Sequence, residues 1–203
     1  MSCFAESVKM KQLLSVLVAL VLVLLCKGQD WTPPSFCNGQ ICPQFKVVEQ
    51  NQDFEVRSYV ATEWITTKIQ SSANNDLMAA HKKLKEYCQT QKDAGYEINV
   101  NTWPALITKK EGSGLSMSWF LSPGTKKPAD SDSVRVQSIP EITYYVRVFN
   151  GLPSMKSAEE NAAALRKALV DAGKTFDPQN YTGAAYDSIM SVTHHNEIWI
   201  VPA

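Results

Sequence analysis

A predicted helix from Asn74 to about Gln91 carries the side chains whose types and spacing could bind a ligand. They are three apolar residues, one histidine and three lysines, namely Leu77, Met78, Leu84, His81, Lys82, Lys83 and Lys85. Apolar side chains can form a wall for a flat ring, lysines can pair with acidic groups, and a neutral imidazole can coordinate a metal ion. This helix could therefore present apolar surface, positive charge and one imidazole to a ligand.

The same residues also have a purely structural interpretation. Leu77, His81, Leu84 and Cys88 follow helical spacing and predict one buried stripe, in which His81 would be a packed core residue. The lysines would then form a solvated helix face. Both interpretations remain open at the level of sequence.

Motifs of common enzymes are absent from the sequence, which has no G-x-S-x-G, H-E-x-x-H or G-x-x-x-x-G-K-[ST] pattern. The Cys88 thiol falls on the buried stripe, where a thiol is normally inert. His194 and His195 precede the last predicted strand without metal-ligand spacing, and we expect them at the surface. A protein without enzymatic activity or a catalytic metal is the favoured interpretation.

Residues 1–28 have the pattern of a cleaved signal peptide, because Lys9 and Lys11 precede an apolar run from Leu13 to Leu25. That run is shorter than the roughly 20 residues needed to span a bilayer. After cleavage, 17 basic and 19 acidic residues remain, a formal net charge of −2. The sequence thus predicts a secreted, extracellular protein, with no membrane span after cleavage and no nucleic-acid partner.

Residues 29–44 form a predicted Cys- and Pro-containing N-terminal arm. Cys37 and Cys42 flank a turn-forming Asn-Gly pair, which favours a local disulfide in an oxidising compartment and leaves Cys88 unpaired. Asn180 begins the one sequon, Asn180-Tyr-Thr182, and is a predicted glycosylation site.

The strands of the sequence follow a plan that occurs twice, over about 45–121 and 134–203. Ile142 to Phe149 alternates as a half-buried strand, and a shift of 80 residues places Tyr144 on Trp64 and Trp199 on Trp119. Trp64, Trp119, Tyr144 and Trp199 would then fill equivalent core positions. Asn74 to Asp76 and a capping box from Ser157 to Glu160 would begin the two helices, and Gly173 would end the second. These units predict an α+β fold, a distorted β-barrel of about eight strands with two helices packed outside.

Six segments carry a resemblance to a known family. They are Asp53-Phe-Glu-Val-Arg-Ser-Tyr59 followed by Trp64, Asn101-Thr-Trp-Pro104, Trp119-Phe-Leu-Ser-Pro123, Tyr145-Val-Arg-Val-Phe-Asn-Gly151, Tyr181-Thr-Gly-Ala-Ala-Tyr186 and Asn196-Glu-Ile-Trp199. In this order and spacing they resemble the SOUL haem-binding protein family, from residue 45 to 203. Two departures stand out. Ser58 occupies the position of a histidine proposed as an iron ligand in some members, and Asn101 replaces a methionine.

The resemblance implies that haem or protoporphyrin binds in an apolar cleft beside the first helix, without robust catalysis. The residues expected at that site are Leu77, Met78, His81, Lys82, Leu84 and Lys85, with His81 as a possible axial ligand. The expected protein is a monomeric tetrapyrrole-binding protein. Two alternatives remain, a cell-death interaction module that would use Leu165 to Gly173, and an enzyme that would use the same cleft.

Overall fold

Nine antiparallel strands, two α-helices and a short 3-10 helix, Ser35–Cys37, are the regular elements of the described part of the chain, which in this computed structural model is residues 31–98, 104–188 and 190–203. The strands are β1 Phe45–Gln50, β2 Glu55–Tyr59, β3 Thr62–Ile69, β4 Ala105–Lys110, β5 Gly114–Leu121, β6 Val134–Ile139, β7 Ile142–Asn150, β8 Tyr181–Ala185 and β9 His195–Ile200. The helices are α1 Asn74–Asp93 and α2 Met155–Asp171. The α+β fold, with a curled, barrel-like sheet and two helices, is confirmed. The predicted signal peptide, and Asn101 to Trp103, lie outside the described residues.

The sheet has a symmetric order of strands, β1-β2-β7-β9-β8-β4-β5-β3-β6. With β1 left out, exchanging β2 with β6, β3 with β7, β4 with β8 and β5 with β9 gives the same order read from the opposite end. Both halves therefore contribute strands to one continuous curled sheet. Such pairing is what two copies of one unit would produce, and the duplication itself stays a prediction.

The predicted equivalence of Trp119 and Trp199 is wrong. Ile65 pairs with Trp119 and Tyr145 pairs with Ile200, so β3 corresponds to β7 at a shift of 80 residues, but β5 corresponds to β9 at a shift of 81. Side chains alternate between the two faces of a strand, and a shift of one residue therefore reverses the face. Trp119 packs on the helix side of the sheet, whereas Trp199 lines the inner face together with Trp64 and Tyr144.

Two apolar clusters lie between the sheet and its helices. Beneath α1, Leu84 and Cys88 pack with Ile65 and Trp119 of the sheet. Beneath α2, Leu165 and Leu169 occupy the corresponding positions of the second cluster and contact Ile198 and Ile200. These aliphatic contacts stabilise the fold on the helix side and position each helix over its own half of the sheet.

Both helices begin differently from the sequence prediction. α1 has Ala73 as its N-cap residue, without a side-chain hydrogen bond, because Asn74 to Asp76 already belong to the first turn. α2 begins one turn earlier than predicted, and its capping box joins Ser154 and Ser157 instead of Ser157 and Glu160. Gly173 follows the last turn of α2 with φ of +65°, as its predicted role as a terminator requires.

The N-terminal arm is held by a disulfide between Cys37 and Cys42, whose Cα atoms are 6.1 Å apart. Phe36, just before it, stacks on the His195 ring with 4.0 Å between centroids. His194 is buried and His195 half-buried, so their predicted surface location is wrong. The arm supplies the ring that covers His195.

Asn180, the predicted glycan acceptor, is half-buried after α2. Its Oδ1 accepts a hydrogen bond of 2.7 Å from the Glu111 amide, and its Nδ2 donates to Asp177. A glycan on Nδ2 would compete with the bond to Asp177, whereas the bond to Glu111 uses the opposite atom. Glycosylation of Asn180 stays a prediction.

We expect Cys88 to resist alkylation in the folded protein. Its thiol is fully buried beneath α1, and burial raises its pKa to about 12, whereas the reactive species is the thiolate. Mass spectrometry of the chain from Gln29 after iodoacetamide, without reductant, should show no added carbamidomethyl group under native conditions and one in denaturant. Two or three groups in denaturant would contradict the disulfide, and rapid native labelling would contradict the burial.

Candidate ligand-binding site

The outer face of α1 brings together four of the six residues predicted to bind a ligand. Met78 lies three and four positions before His81 and Lys82, and Lys85 lies four and three positions after them, so the four residues share one helix face. All four are exposed, and the Met78 side chain has 70% of its surface accessible, which is unusual for an apolar residue. This face, called the α1 face below, combines an apolar side chain, an imidazole and two cations.

The two predicted leucines lie outside the α1 face. Leu84 has 0% of its surface exposed and packs between α1 and the sheet. Leu77 is half-buried and packs against the same cluster. Leu84 therefore fixes the helix from beneath and has no surface for a ligand in this conformation, whereas Leu77 lies at the margin of the helix's exposed surface.

His81 lies at the edge of the buried stripe, where its ring meets Trp119 edge-on at 5.0 Å between centroids. The buried stripe consists of Ala80, Leu84, Tyr87 and Cys88. His81, which the predicted stripe included, is not part of it. Partial burial, and then the positive charge of Lys85, lower the pKa of His81 below its ordinary value. A lowered pKa favours the neutral imidazole, which is the form that coordinates a metal.

The lysines of α1 point to different surroundings. Lys82 lies 3.6 Å from Glu86 in an exposed pair, and Lys85 has no ion-pair partner within the described residues. Lys83 lies on another side of the helix and lines the cavity inside the curled sheet. Lys82 and Lys85 can thus reach acidic groups of a ligand on the α1 face, and Lys83 cannot share that task.

A buried charge cluster that sequence reasoning missed lies near the covered His195. Arg57 Nη1 donates a 2.8 Å hydrogen bond to Oε1 of Glu197, and both side chains are inaccessible to solvent, at 3% and 0%. Glu197 also accepts from Trp199 Nε1 at 2.7 Å and from the Tyr186 hydroxyl at 3.1 Å. Burial raises the pKa of the Glu197 carboxyl, but His195 and the charge of Arg57 outweigh this and lower it overall.

This cluster is satisfied by the protein itself. Each Glu197 oxygen has protein donors, and Arg57 also pairs with Glu55 at 2.6 Å and lies over the Phe45 ring at 4.3 Å. Alternation predicts which residues share a strand face, but pairing between β2 and β9 by way of β7 is a long-range property. No local pattern therefore indicated that Arg57 and Glu197, 140 positions apart, would meet.

A model of the SOUL heme-binding protein family matches residues 40–201. The chain belongs to the SOUL haem-binding protein family. Heme-binding protein 2 of Homo sapiens is 26% identical over 164 residues, which cover 75% of this chain and 79% of that protein. Heme-binding protein 2 of Mus musculus is 25% identical over 175 residues, covering 78% and 84%.

A solved structure supports the fold of this SOUL family member. The C-terminal domain of EcmrR superposes with a TM-score of 0.56 at 10% identity, covering 78% of this chain and 98% of that domain. At this identity the likeness concerns the fold alone. Among the described residues of the chain, neither helix is long and apolar enough to cross a membrane.

Ser58 and the segment from Leu165 to Gly173 bear on two family-level expectations. Ser58 lies on β2, where its hydroxyl donates a long hydrogen bond of 3.5 Å to Glu141, and a serine there offers no imidazole to iron. Leu165 and Leu169 are fully buried beneath α2. The leucines of a proposed interaction segment are thus engaged in the core of this SOUL family member.

Proposed function

We propose that this SOUL family member is an exported binding protein for haem or a related tetrapyrrole, acting as a monomer without catalysis. The observation that carries the proposal is the family match over residues 40–201, together with similarity to two heme-binding proteins. The signal-peptide pattern and the Cys37–Cys42 disulfide support export, since disulfides persist in oxidising compartments.

The α1 face is the proposed contact surface for the macrocycle. Met78 and the margin of Leu77 offer apolar surface to a flat ring, and Lys82 and Lys85 lie on the same side for its propionates. His81 lies between them with its pKa lowered, so at neutral pH its imidazole is free to approach iron. When bound, haem would supply an iron centre and an absorbing macrocycle, and the chain would supply apolar contact, charge and one nitrogen ligand.

A titration with hemin and with protoporphyrin tests the proposed function. The chain from Gln29 should perturb the Soret band of both, because contact with the ring and its propionates needs no iron. If neither hemin nor protoporphyrin bound saturably, the proposal would be contradicted. A matched double variant, Lys46→Gln/Lys156→Gln, changes charge by the same amount as Lys82→Gln/Lys85→Gln but on exposed sites elsewhere. Only the α1 variant should weaken binding, by about tenfold.

Replacing His81 with alanine should remove the difference between hemin and protoporphyrin. Coordination requires the neutral imidazole, and the pKa of His81 lies below the ordinary histidine value of about 6.5 because of partial burial and the charge of Lys85. The hemin spectrum of the native chain should therefore persist as pH falls through 6.5 and be lost only at lower pH, where His81 becomes protonated. In His81→Ala, the hemin spectrum should lack this transition, while protoporphyrin binding remains. An identical hemin spectrum and pH profile in the variant would exclude His81 as a ligand.

A further inference from the structure

A second candidate site lies inside the curled sheet, where a cavity of about 820 Å³ is separate from the α1 face. Strands from both halves of the sheet order line it, including β6 at one end through Ile139 and β2, next to the other end, through Tyr59. Of the α1 residues, Lys83 lines the cavity, whereas Met78, His81, Lys82 and Lys85 do not. A ligand in this cavity would therefore touch different residues from a ligand on the α1 face.

Aromatic rings form one part of the cavity wall. Trp199 lies 5.0 Å from Tyr59 and 5.3 Å from Tyr144 between ring centroids, and Trp64 lines the same cavity. The indole nitrogens already donate within the protein, Trp64 to Thr62 at 2.9 Å and Trp199 to Glu197 at 2.7 Å. The indole N–H groups therefore need no ligand partner. Trp64 and Trp199 expose only 2% and 3% of their surface, so the half-buried Tyr144 ring is the main aromatic surface open to a flat apolar ring.

Hydroxyl groups form the next part of the wall. Thr66 and Ser118 are hydrogen-bonded at 2.8 Å across β3 and β5, and Thr108 and Thr182 at 3.0 Å across β4 and β8. The helix side of the same sheet carries aliphatic side chains in two close-packed clusters. The fold thus places its dry core outside the curl and leaves a polar, hydroxyl-bearing surface inside it.

Four cations line the cavity against a single carboxylate. Lys68, Lys83, Lys110 and Arg135 come from four different elements, and the carboxylate is Asp132. Arg135 lies 3.7 Å from Asp130, but the three lysines have no ion-pair partner anywhere in residues 31–98, 104–188 and 190–203. The excess of positive charge favours an anion.

The aromatic and cationic parts are separated along β5. Lys68 pairs with Ser116 and Lys110 with Gly114 at the start of this strand, whereas Trp64 pairs with Phe120 near its end. Four residues of extended strand, from Ser116 to Phe120, span about 13 Å along the backbone, and the flexible four-carbon stems of the lysines let their ammonium groups approach the rings more closely than this. We propose that this cavity is a second ligand site, for an amphipathic organic anion whose flat ring lies against Tyr144, beside the exposed edges of Trp64 and Trp199, and whose acidic group lies between Lys68 and Lys110.

Fluorescence titration with anilinonaphthalene sulfonate tests this second site, with the uncharged phenylnaphthylamine as the matched compound. We expect saturable binding of the sulfonate to the folded chain from Gln29. Lys68→Gln/Lys110→Gln should raise its dissociation constant about tenfold and leave that of the uncharged compound near the native value. The control Lys46→Gln/Lys156→Gln should bind both compounds as the native chain does. Equal sulfonate binding in both double variants would overturn the proposal.

Two substitutions at Thr108 separate occupancy of the cavity from binding elsewhere. Thr108→Phe should obstruct the middle of the cavity, between its aromatic and cationic parts, and weaken binding of both compounds by at least about tenfold, whereas Thr108→Val, which keeps the shape and loses the hydroxyl, should retain it. Thermal unfolding of both variants shows whether they remain folded, and binding retained by folded Thr108→Phe would contradict the site. Saturating hemin should leave the sulfonate bound. If hemin displaced the sulfonate, and if Lys68→Gln/Lys110→Gln also lost hemin binding, both ligands would share one cavity. This result would overturn the second site but would leave the proposed tetrapyrrole function intact.

Discussion

Arg57→Met should lower the free energy of unfolding by about 3–5 kcal/mol, because it leaves the carboxylate of Glu197 buried without its cation. Glu197 has 0% of its side chain exposed, and its 2.8 Å contact with Arg57 is the direct ion pair. Methionine fills much of the space of the arginine stem but supplies no charge. Denaturant unfolding at neutral pH measures the loss, which is large against the 5–15 kcal/mol typical of a domain.

The pH dependence of this effect has a defined sign. The pKa of Glu197 is lowered in the folded protein, so its contribution to stability is complete above its unfolded value of about 4.5 and is lost as pH falls through the lower folded value. Without Arg57 the pKa of Glu197 should rise. The difference in the free energy of unfolding between the native chain and Arg57→Met should therefore become smaller as the pH is lowered. The double variant Arg57→Met/Glu197→Gln should be more stable than Arg57→Met at neutral pH.

Lys156→Met provides the control for Arg57→Met. It removes a cation whose exposed partner, Glu160, is 3.9 Å away, and it should change stability by less than about 0.5 kcal/mol. If Arg57→Met were as mild as Lys156→Met, the buried pair would not stabilise the fold in the way its geometry requires.

Leu84→Ala and Met78→Ala should have opposite consequences for stability and ligand binding. Leu84 is fully buried in the cluster beneath α1, and its truncation should cost about 2–5 kcal/mol in the free energy of unfolding. Met78, with 70% exposure, should change stability by less than about 0.5 kcal/mol but weaken binding of hemin and protoporphyrin. Unfolding curves and Soret titrations of both variants measure the two effects.

The comparison uses the folded fraction of Leu84→Ala, obtained at a temperature well below its transition. That fraction should still bind hemin, since Leu84 has no surface at the α1 face. A stable Leu84→Ala with impaired binding would place this leucine against the ligand, and full binding by Met78→Ala would remove the methionine from the proposed contact.

Alternating and helical patterns predicted the strands and helices well. The Ile142 to Phe149 pattern corresponds closely to β7, and Gly173 was correctly placed after α2. These features depend on the preferences of neighbouring residues, which a single sequence displays directly. The start of α2 was predicted less accurately, because Ser154 and Ser157 lie within one turn and either residue could be the N-cap.

Side-chain surroundings were harder to predict than elements. His81 has the spacing of a buried residue, but α1 is rotated so that Ala80 and Leu84 face the sheet and His81 lies at the margin. The cavity and the pair of Arg57 with Glu197 arise when distant strands curl together, and these contacts depend on the three-dimensional pairing order. The α1 face was thus found from sequence as a set of residues, but its exposure and its separation from the inner cavity were not.

Corresponding positions of β5 and β9 present different chemistry to the interior of the curled sheet. β9 places the indole of Trp199 there, whereas β5 places the hydroxyl of Ser118 there and keeps the indole of Trp119 under a helix. A chain assembled from two copies of either half could preserve the strand order but would have matching walls. The natural arrangement instead has one wall unlike the other, so a bound molecule could have only one preferred orientation in an otherwise symmetric scaffold.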